Sequence, residues 1–198
     1  MTTSNTPTTV KSRGFTRKST PIPGLHIITP TLFGDDRGFF METYNADDFR
    51  TLGIDCQFIQ DNHSRSKQGV LRGLHFQTEH PQAKLVRVLS GEVYDVAVDL
   101  RPGSETFGRW HGVLLSAENQ KQFFIPRGFA HGFLVLSDSA DFTYKVDNLY
   151  DPAHEAGLPF DDPDLAIDWP ALPAGVDYLL SDKDRHHPSF KTYQETNQ

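Results

Sequence analysis

The sequence predicts a mainly β fold, a sandwich or barrel with a few short helices. Three observations carry this: short apolar runs recur along the chain, Gly, Pro, Asp and Ser clusters separate them, and apolar and polar side chains alternate within them. The length of 198 residues suits a single domain. Hydrophobic residues make up 37% of the chain and include 15 Phe, enough for a core. No apolar run approaches the roughly 18 residues a bilayer span needs, so no membrane partner is expected.

The elements follow in order. Residues 1–24 hold Lys11, Arg13, Arg17 and Lys18 and no acid, a charge of +4. Since the whole chain carries −7, the remainder carries −11. This Thr-, Ser- and Pro-rich stretch reads as a flexible basic arm. It lacks the apolar segment of a secretory signal, and its prolines oppose the amphipathic helix of a transit peptide. Residues 25–198 read as one domain. Strands are expected at 27–29, 38–43, 56–61, 71–77, 85–89, 93–100, 112–115, 123–126, 131–136 and 142–147. Turns fall at Gly34-Asp35-Asp36, Ser90-Gly91, Arg101-Pro102-Gly103-Ser104 and Ser137-Asp138-Ser139. One short helix begins after Asn45, a suitable N-cap. The Asp- and Pro-rich tail from Pro152 is expected to wrap the body in short turns.

Period-two alternation sorts the faces. Tyr94, Val96, Val98 and Leu100 share one face of their strand, and Val93, Asp95, Ala97 and Asp99 the other. His75 and Gln77 fall on the side of Gly73. Tyr144 lies on one face with Phe142 and Val146, so its hydroxyl either finds a structural partner or points into a cavity.

Composition excludes several functions. An acidic chain is a poor duplex nucleic-acid binder, because phosphate contacts need a basic face. The single cysteine, Cys56, excludes an intramolecular disulfide and a Cys-based metal site, and makes a reducing cytoplasm the simplest compartment.

Two stretches carry a recognisable frame. Gly69 is followed by His75, and Gly91 closes the stretch. Later comes Pro126-Arg-Gly128-Phe-Ala-His131. This resembles the paired motifs of the cupin family, with two of four metal-ligand positions changed: Gln77 replaces a His and Lys84 replaces a Glu. An amide is a poor donor and an ammonium repels a cation, so no metal is expected. The frame resembles a cupin pocket refitted for acid–base work.

Longer words follow in order: residues 33–42 (Phe-Gly-Asp-Asp-Arg-Gly-Phe-Phe-Met-Glu), 60–66 (Gln-Asp-Asn-His-Ser-Arg-Ser), 69–77 (Gly-Val-Leu-Arg-Gly-Leu-His-Phe-Gln), 84–87, 91–100, 125–133 and Leu180-Ser-Asp-Lys-Asp184. These resemble the dTDP-4-dehydrorhamnose 3,5-epimerase family over about residues 22–188. The resemblance implies a homodimeric, metal-free double-stranded β-helix (jelly roll) with no cofactor, acting on a dTDP-linked 4-keto-6-deoxyhexose. It implies Asp184 as the carboxylate orienting His75; Asp95, on a strand of the same sheet, is an alternative. It also implies that Phe33, Arg37 and Glu42 reach the partner's nucleotide site, and that Gln60, Asn62, His131 and Tyr150 line that pocket. Phe33 or Tyr150 would stack on the base.

The residue types suit such chemistry. Carbons flanking a ketone lose protons to a base near neutral pKa, a role for His75. The resulting enolate needs a fixed cation, a role for Lys84. Inversion needs a proton on the opposite face of the ring, a role for Tyr144. Arg72, three residues from His75, is the first choice for the diphosphate. Arg37 has a plainer alternative, closing its turn with Asp35 or Asp36. Gly128 is expected to supply backbone conformation only, and His186-His187 is expected to lie outside the chemistry. Alternative functions are a mono-epimerase of antibiotic-sugar synthesis, a 3,4-ketoisomerase, a metal-dependent cupin dioxygenase and a non-catalytic nucleotide-sugar binder.

Overall fold

A computed structural model describes residues 8–196. Its strands are β1 (Thr9–Lys11), β2 (Phe15–Ser19), β3 (His26–Pro30), β4 (Phe33–Asp35), β5 (Gly38–Phe40), β6 (Gln60–Lys67), β7 (Leu71–Gln77), β8 (Lys84–Ser90), β9 (Glu92–Asp99), β10 (Trp110–Ser116), β11 (Gln122–Ile125), β12 (Phe129–Val135), β13 (Ser139–Val146) and β14 (Glu155–Gly157). Two helices, α1 (Ala46–Thr51) and α2 (Phe190–Thr196), complete the fold. Among the described residues, no helix is long and apolar enough to cross a membrane.

Two antiparallel sheets form the body. One has the order β1-β2-β3-β11-β8-β13-β6, the other β10-β9-β12-β7-β14, and β4 and β5 make a separate hairpin. From β6 onward the chain passes repeatedly between the sheets, which is the winding of the expected jelly roll.

Alternation decides what the sheets enclose. Val86 and Val88 of β8, Val93 and Ala97 of β9, Phe133 and Val135 of β12, and Phe142 of β13 meet in one buried cluster. The Phe133 and Phe142 rings stack with centroids 4.2 Å apart. Each such buried side chain contributes roughly 1.5–3 kcal/mol. The intervening residues are buried on the outer faces. Leu85 packs with Phe15, Ile28, Phe49 and Leu52 beneath α1. Val96, Val98 and Leu100 pack with Leu158, Leu165 and Phe190 from the tail.

The sequence reading needs correction at its ends. Residues 9–19, expected to belong to a flexible arm, form β1 and β2, which extend the sheet from β3. Phe15 is buried there, and its burial anchors the segment. Residues 1–7 lie outside the described residues. The tail forms more than turns: β14 pairs with β7, and α2 covers the outer face. The strand expected at 56–61 starts only at Gln60 and continues to Lys67. The expected helix is present. Asn45 caps it in extended conformation, its side chain accepting from the N–H groups of Asp47 and Asp48.

Candidate active site

The apolar plug fills one part of the barrel, and polar side chains occupy the inward positions of the same strands elsewhere. His75 and Gln77 come from β7, Lys84 from the start of β8, Asp95 from β9, His131 from β12 and Tyr144 from β13. A cleft of about 330 Å³ opens among them, lined by His75, Gln77, Lys84, Tyr144, Tyr150 and Glu155, with Phe129 and Tyr193 among its apolar walls. His75 stands on one sheet, and Lys84 and Tyr144 stand on the other.

The tail completes the site. Asp184 is buried, and its Oδ1 lies 2.5 Å from His75 Nε2. Ser181 Oγ donates to Asp184 Oδ2 at 2.7 Å and accepts from the Asp184 N–H at 3.2 Å. Burial alone would raise this carboxyl; the bonds from His75 and Ser181 outweigh it and hold the pKa down at about 2. Asp184 therefore remains an anion that fixes the His75 ring. Asp95, the alternative partner, is engaged elsewhere: both its oxygens lie 3.0 Å from His131 Nε2. Burial pushes the Asp95 carboxyl up and the His131 ring down, each resisted by the other.

Burial also lowers Lys84 to about 8, against the attraction of Asp95 and Glu155. It is mostly ammonium at neutral pH, yet poised to lose its proton. Tyr144 is raised, chiefly by burial, so its hydroxyl keeps its proton; Arg72 opposes the shift.

The other expected residues divide. Tyr150 lines the cleft, and its hydroxyl donates to Glu155, which also pairs with Lys183. Asn62 lies opposite Tyr144 in the β6–β13 register and accepts from Gln60 Nε2 at 2.9 Å. Arg72 is exposed, with its Nε donating to Ser66 Oγ at 3.1 Å. His131 is turned into the barrel beside Asp95, with 7% of its surface exposed. Phe33 and Arg37 sit on the exposed β4–β5 hairpin, away from this chain's cleft. Arg37 pairs there with Asp35, its plainer role. Glu42 lies near Arg13 and accepts from Asn45, also outside the cleft. Gly128 has φ +85°, and a Cβ there would meet the Arg101 side chain at 2.6 Å, so its role is backbone conformation and space.

Glu155, Tyr193 and His187 were missed. Each meets β7 from far along the chain, Glu155 opposite Gln77, Tyr193 against Phe76 and His187 against His75, for which no local signal exists; the one sequence hint is Gly157, whose missing side chain leaves room for the His187 ring.

The family model described as dTDP-4-dehydrorhamnose 3,5-epimerase matches residues 19–192. The chain belongs to that family. It is an isomerase-family chain with a cupin jelly roll. The dTDP-4-dehydrorhamnose 3,5-epimerase of Methanothermobacter thermautotrophicus is 55% identical over 167 residues, covering 84% of this chain and 90% of the relative. The crystal structure of the Legionella pneumophila dTDP-6-deoxy-D-glucose-3,5-epimerase, in complex with dTDP-4-keto-L-rhamnose, is 51% identical with a TM-score of 0.79, covering 91% and 90% of the two chains. A 3'-monoepimerase from Streptomyces bikiniensis, in complex with dTDP-quinovose, is 34% identical with a TM-score of 0.81, covering 89% of each chain. These epimerase-family relatives share the fold; the double epimerases share more of the sequence.

Proposed function

We propose that this chain inverts C3 and C5 of dTDP-4-dehydro-6-deoxy-D-glucose, giving dTDP-4-dehydro-L-rhamnose, with its own side chains as the acids and bases. The observation that carries the reading is the placement of His75 and Tyr144 on facing sheets of one cleft, with Lys84 between them in sequence and at its wall. Inversion requires proton removal on one face of the ring and delivery on the other, and facing sheets supply two faces.

His75, with one ring nitrogen held by Asp184, takes the proton next to the ketone through the other. The charge moves to the carbonyl oxygen, where the Lys84 ammonium stabilises it. Tyr144, kept protonated by burial, returns a proton from the opposite side. The same sequence at the second flanking carbon completes the double inversion. Arg72, Gln60, Asn62 and Tyr150 bind the nucleotide portion. The working unit is a homodimer in which the β4–β5 hairpin reaches the partner's nucleotide site, and the compartment is the cytoplasm. Phe33, Phe39 and Phe40 on that hairpin are 60%, 59% and 66% exposed, an apolar surface that a partner would cover.

The test is incubation with the 4-keto sugar nucleotide in D2O, reading deuterium at C3 and C5. The unaltered chain should label both carbons; labelling at one only would make it a mono-epimerase. His75→Ala should lose exchange at both by about 10²–10⁴-fold, and an active His75→Ala enzyme would refute the base assignment. Tyr144→Phe should keep exchange and lose inversion; equal loss of both would make Tyr144 a pocket wall.

A further inference from the structure

The residues around His75 include a donor set that epimerisation does not call for. His75 Nε2, Asp184 Oδ1 and His187 Nε2 all lie within 4.8 Å of one another. Asp184 Oδ1 is 2.5 Å from His75 Nε2 and 3.6 Å from His187 Nε2. Asp184 already serves His75. His187 is held less closely: its side chain is 8% exposed, and its buried Nε2 approaches Asp184 only at 3.6 Å, beyond hydrogen-bond distance. A buried ring nitrogen left unpaired is costly, yet the chain makes room for it. Gly157 pairs with His75 across β14 and β7, and a Cβ at Gly157 would come within 2.4 Å of His187 Nε2. The two imidazoles meet edge to face, at 78° with centroids 5.8 Å apart.

We propose that His75, Asp184 and His187 form a site for a divalent transition-metal ion of the zinc class, and that the ion inhibits the enzyme. Two imidazoles and one carboxylate are donors that zinc and its neighbours accept, whereas magnesium and calcium prefer oxygen alone. Ligand bonds of about 2.0–2.2 Å set tetrahedral donors roughly 3.4 Å apart. The Asp184–His187 pair stands near that spacing already, and the His75–Asp184 pair would open by about 1 Å. The ion takes the place of the proton between His75 and Asp184, and that proton leaves to solvent. Lys183, beside Asp184 in the sequence, is paired with Glu155, which limits its repulsion of an ion. Metal binding stands on this geometry alone; inhibition rests on the reading of His75 as the base.

The experiment is calorimetric titration of the metal-stripped full chain with Zn²⁺, run beside deuterium exchange. One saturable Zn²⁺ per chain and loss of exchange, restored by EDTA, are expected. His187→Gln should weaken zinc binding at least tenfold and raise the zinc concentration that halves exchange by a similar factor, each read against that variant's own exchange without zinc. His154→Gln, at an imidazole that pairs with Glu79 and Asp151, should change neither. Absence of saturable binding, or identical titration by His187→Gln, would overturn the site while leaving the His75→Ala result intact. Stoichiometric binding without inhibition would overturn the inhibitory role and count against His75 as base. Should His187→Gln fail to fold, Co²⁺ replaces the variant: the unaltered chain should give the intense visible bands of a tetrahedral ion, displaced by Zn²⁺, and a weak octahedral spectrum would refute the proposal.

Discussion

At position 77 an amide stands where a metal-binding barrel of this kind needs an imidazole. Its Nε2 donates to the carbonyls of His80 and Leu149 at 2.7 and 3.3 Å, and its Oε1 accepts from the Asp151 N–H at 3.0 Å. Those bonds bracket Tyr150, so Gln77 fixes the segment that carries the aromatic proposed to bind the nucleotide. Gln77→Ala should raise KM about 5–20-fold, equivalent to roughly 1–2 kcal/mol for the lost buried bonds, with a smaller change in kcat. Equal losses in both would place Gln77 in the chemistry. Lys84 replaces another ligand, and its consequence is a pH limb. Burial lowers its pKa to about 8, so the ammonium is lost as pH rises past that value. If it stabilises the enolate, kcat should fall about tenfold per unit above roughly pH 8. Lys84→Gln should be slow throughout and lack this limb; a retained limb would assign it to another group.

Elements differ in how far they could be read from the chain, and the reason is where each obtains its stability. α1 was legible because its signal is local: Asn45 accepts from Asp47 and Asp48 N–H at 3.1 and 3.3 Å. Asn45→Ala should cost about 1 kcal/mol of stability, seen as a lower denaturation midpoint with unchanged exchange activity; a larger cost would mean the Asn45–Glu42 contact matters too. β13 was legible because its residues alternate, which put Tyr144 on one face with Phe142 and Val146; in β7 the same alternation put His75 and Gln77 on one side, and the structure turns that side inward. β6 was not, for its Gln-Asp-Asn-His-Ser-Arg-Ser-Lys sequence has no apolar face. It is stabilised by eight paired residues of β13 and by Asp141, which binds His63 and Arg65 across the ladder. β2 was hidden by composition: its Thr, Arg, Lys and Ser look like an arm, and Phe15 alone reports the core it enters. β14 depends wholly on β7, and with it come Glu155 and the room for His187.

The whole molecule raises the question of which chain completes which site. Within one chain, Arg37 and Phe33 sit on an exposed hairpin outside the cleft, while His75 and Lys84 line it and Asp184 holds His75 from behind. In a two-fold dimer a hairpin can reach its partner's site, and that partner's hairpin reaches back. Arg37→Ala and His75→Ala would then damage different parts of one composite site. Either variant alone should be weak, Arg37→Ala through a raised KM and His75→Ala through lost exchange. Unfolding and refolding the two together redistributes the chains. About half the dimers then contain one of each; one of their two sites holds both lesions and the other holds neither. Mixed protein should therefore regain about a quarter of the unaltered activity at low substrate concentration, where Arg37→Ala homodimers contribute little. Were Arg37 to serve the cleft of its own chain, every site in a mixed dimer would carry one lesion, and mixing would restore nothing. The measurement is exchange rate against mixing ratio, peaking at equal amounts if the site is shared and falling linearly from the better variant if it is not.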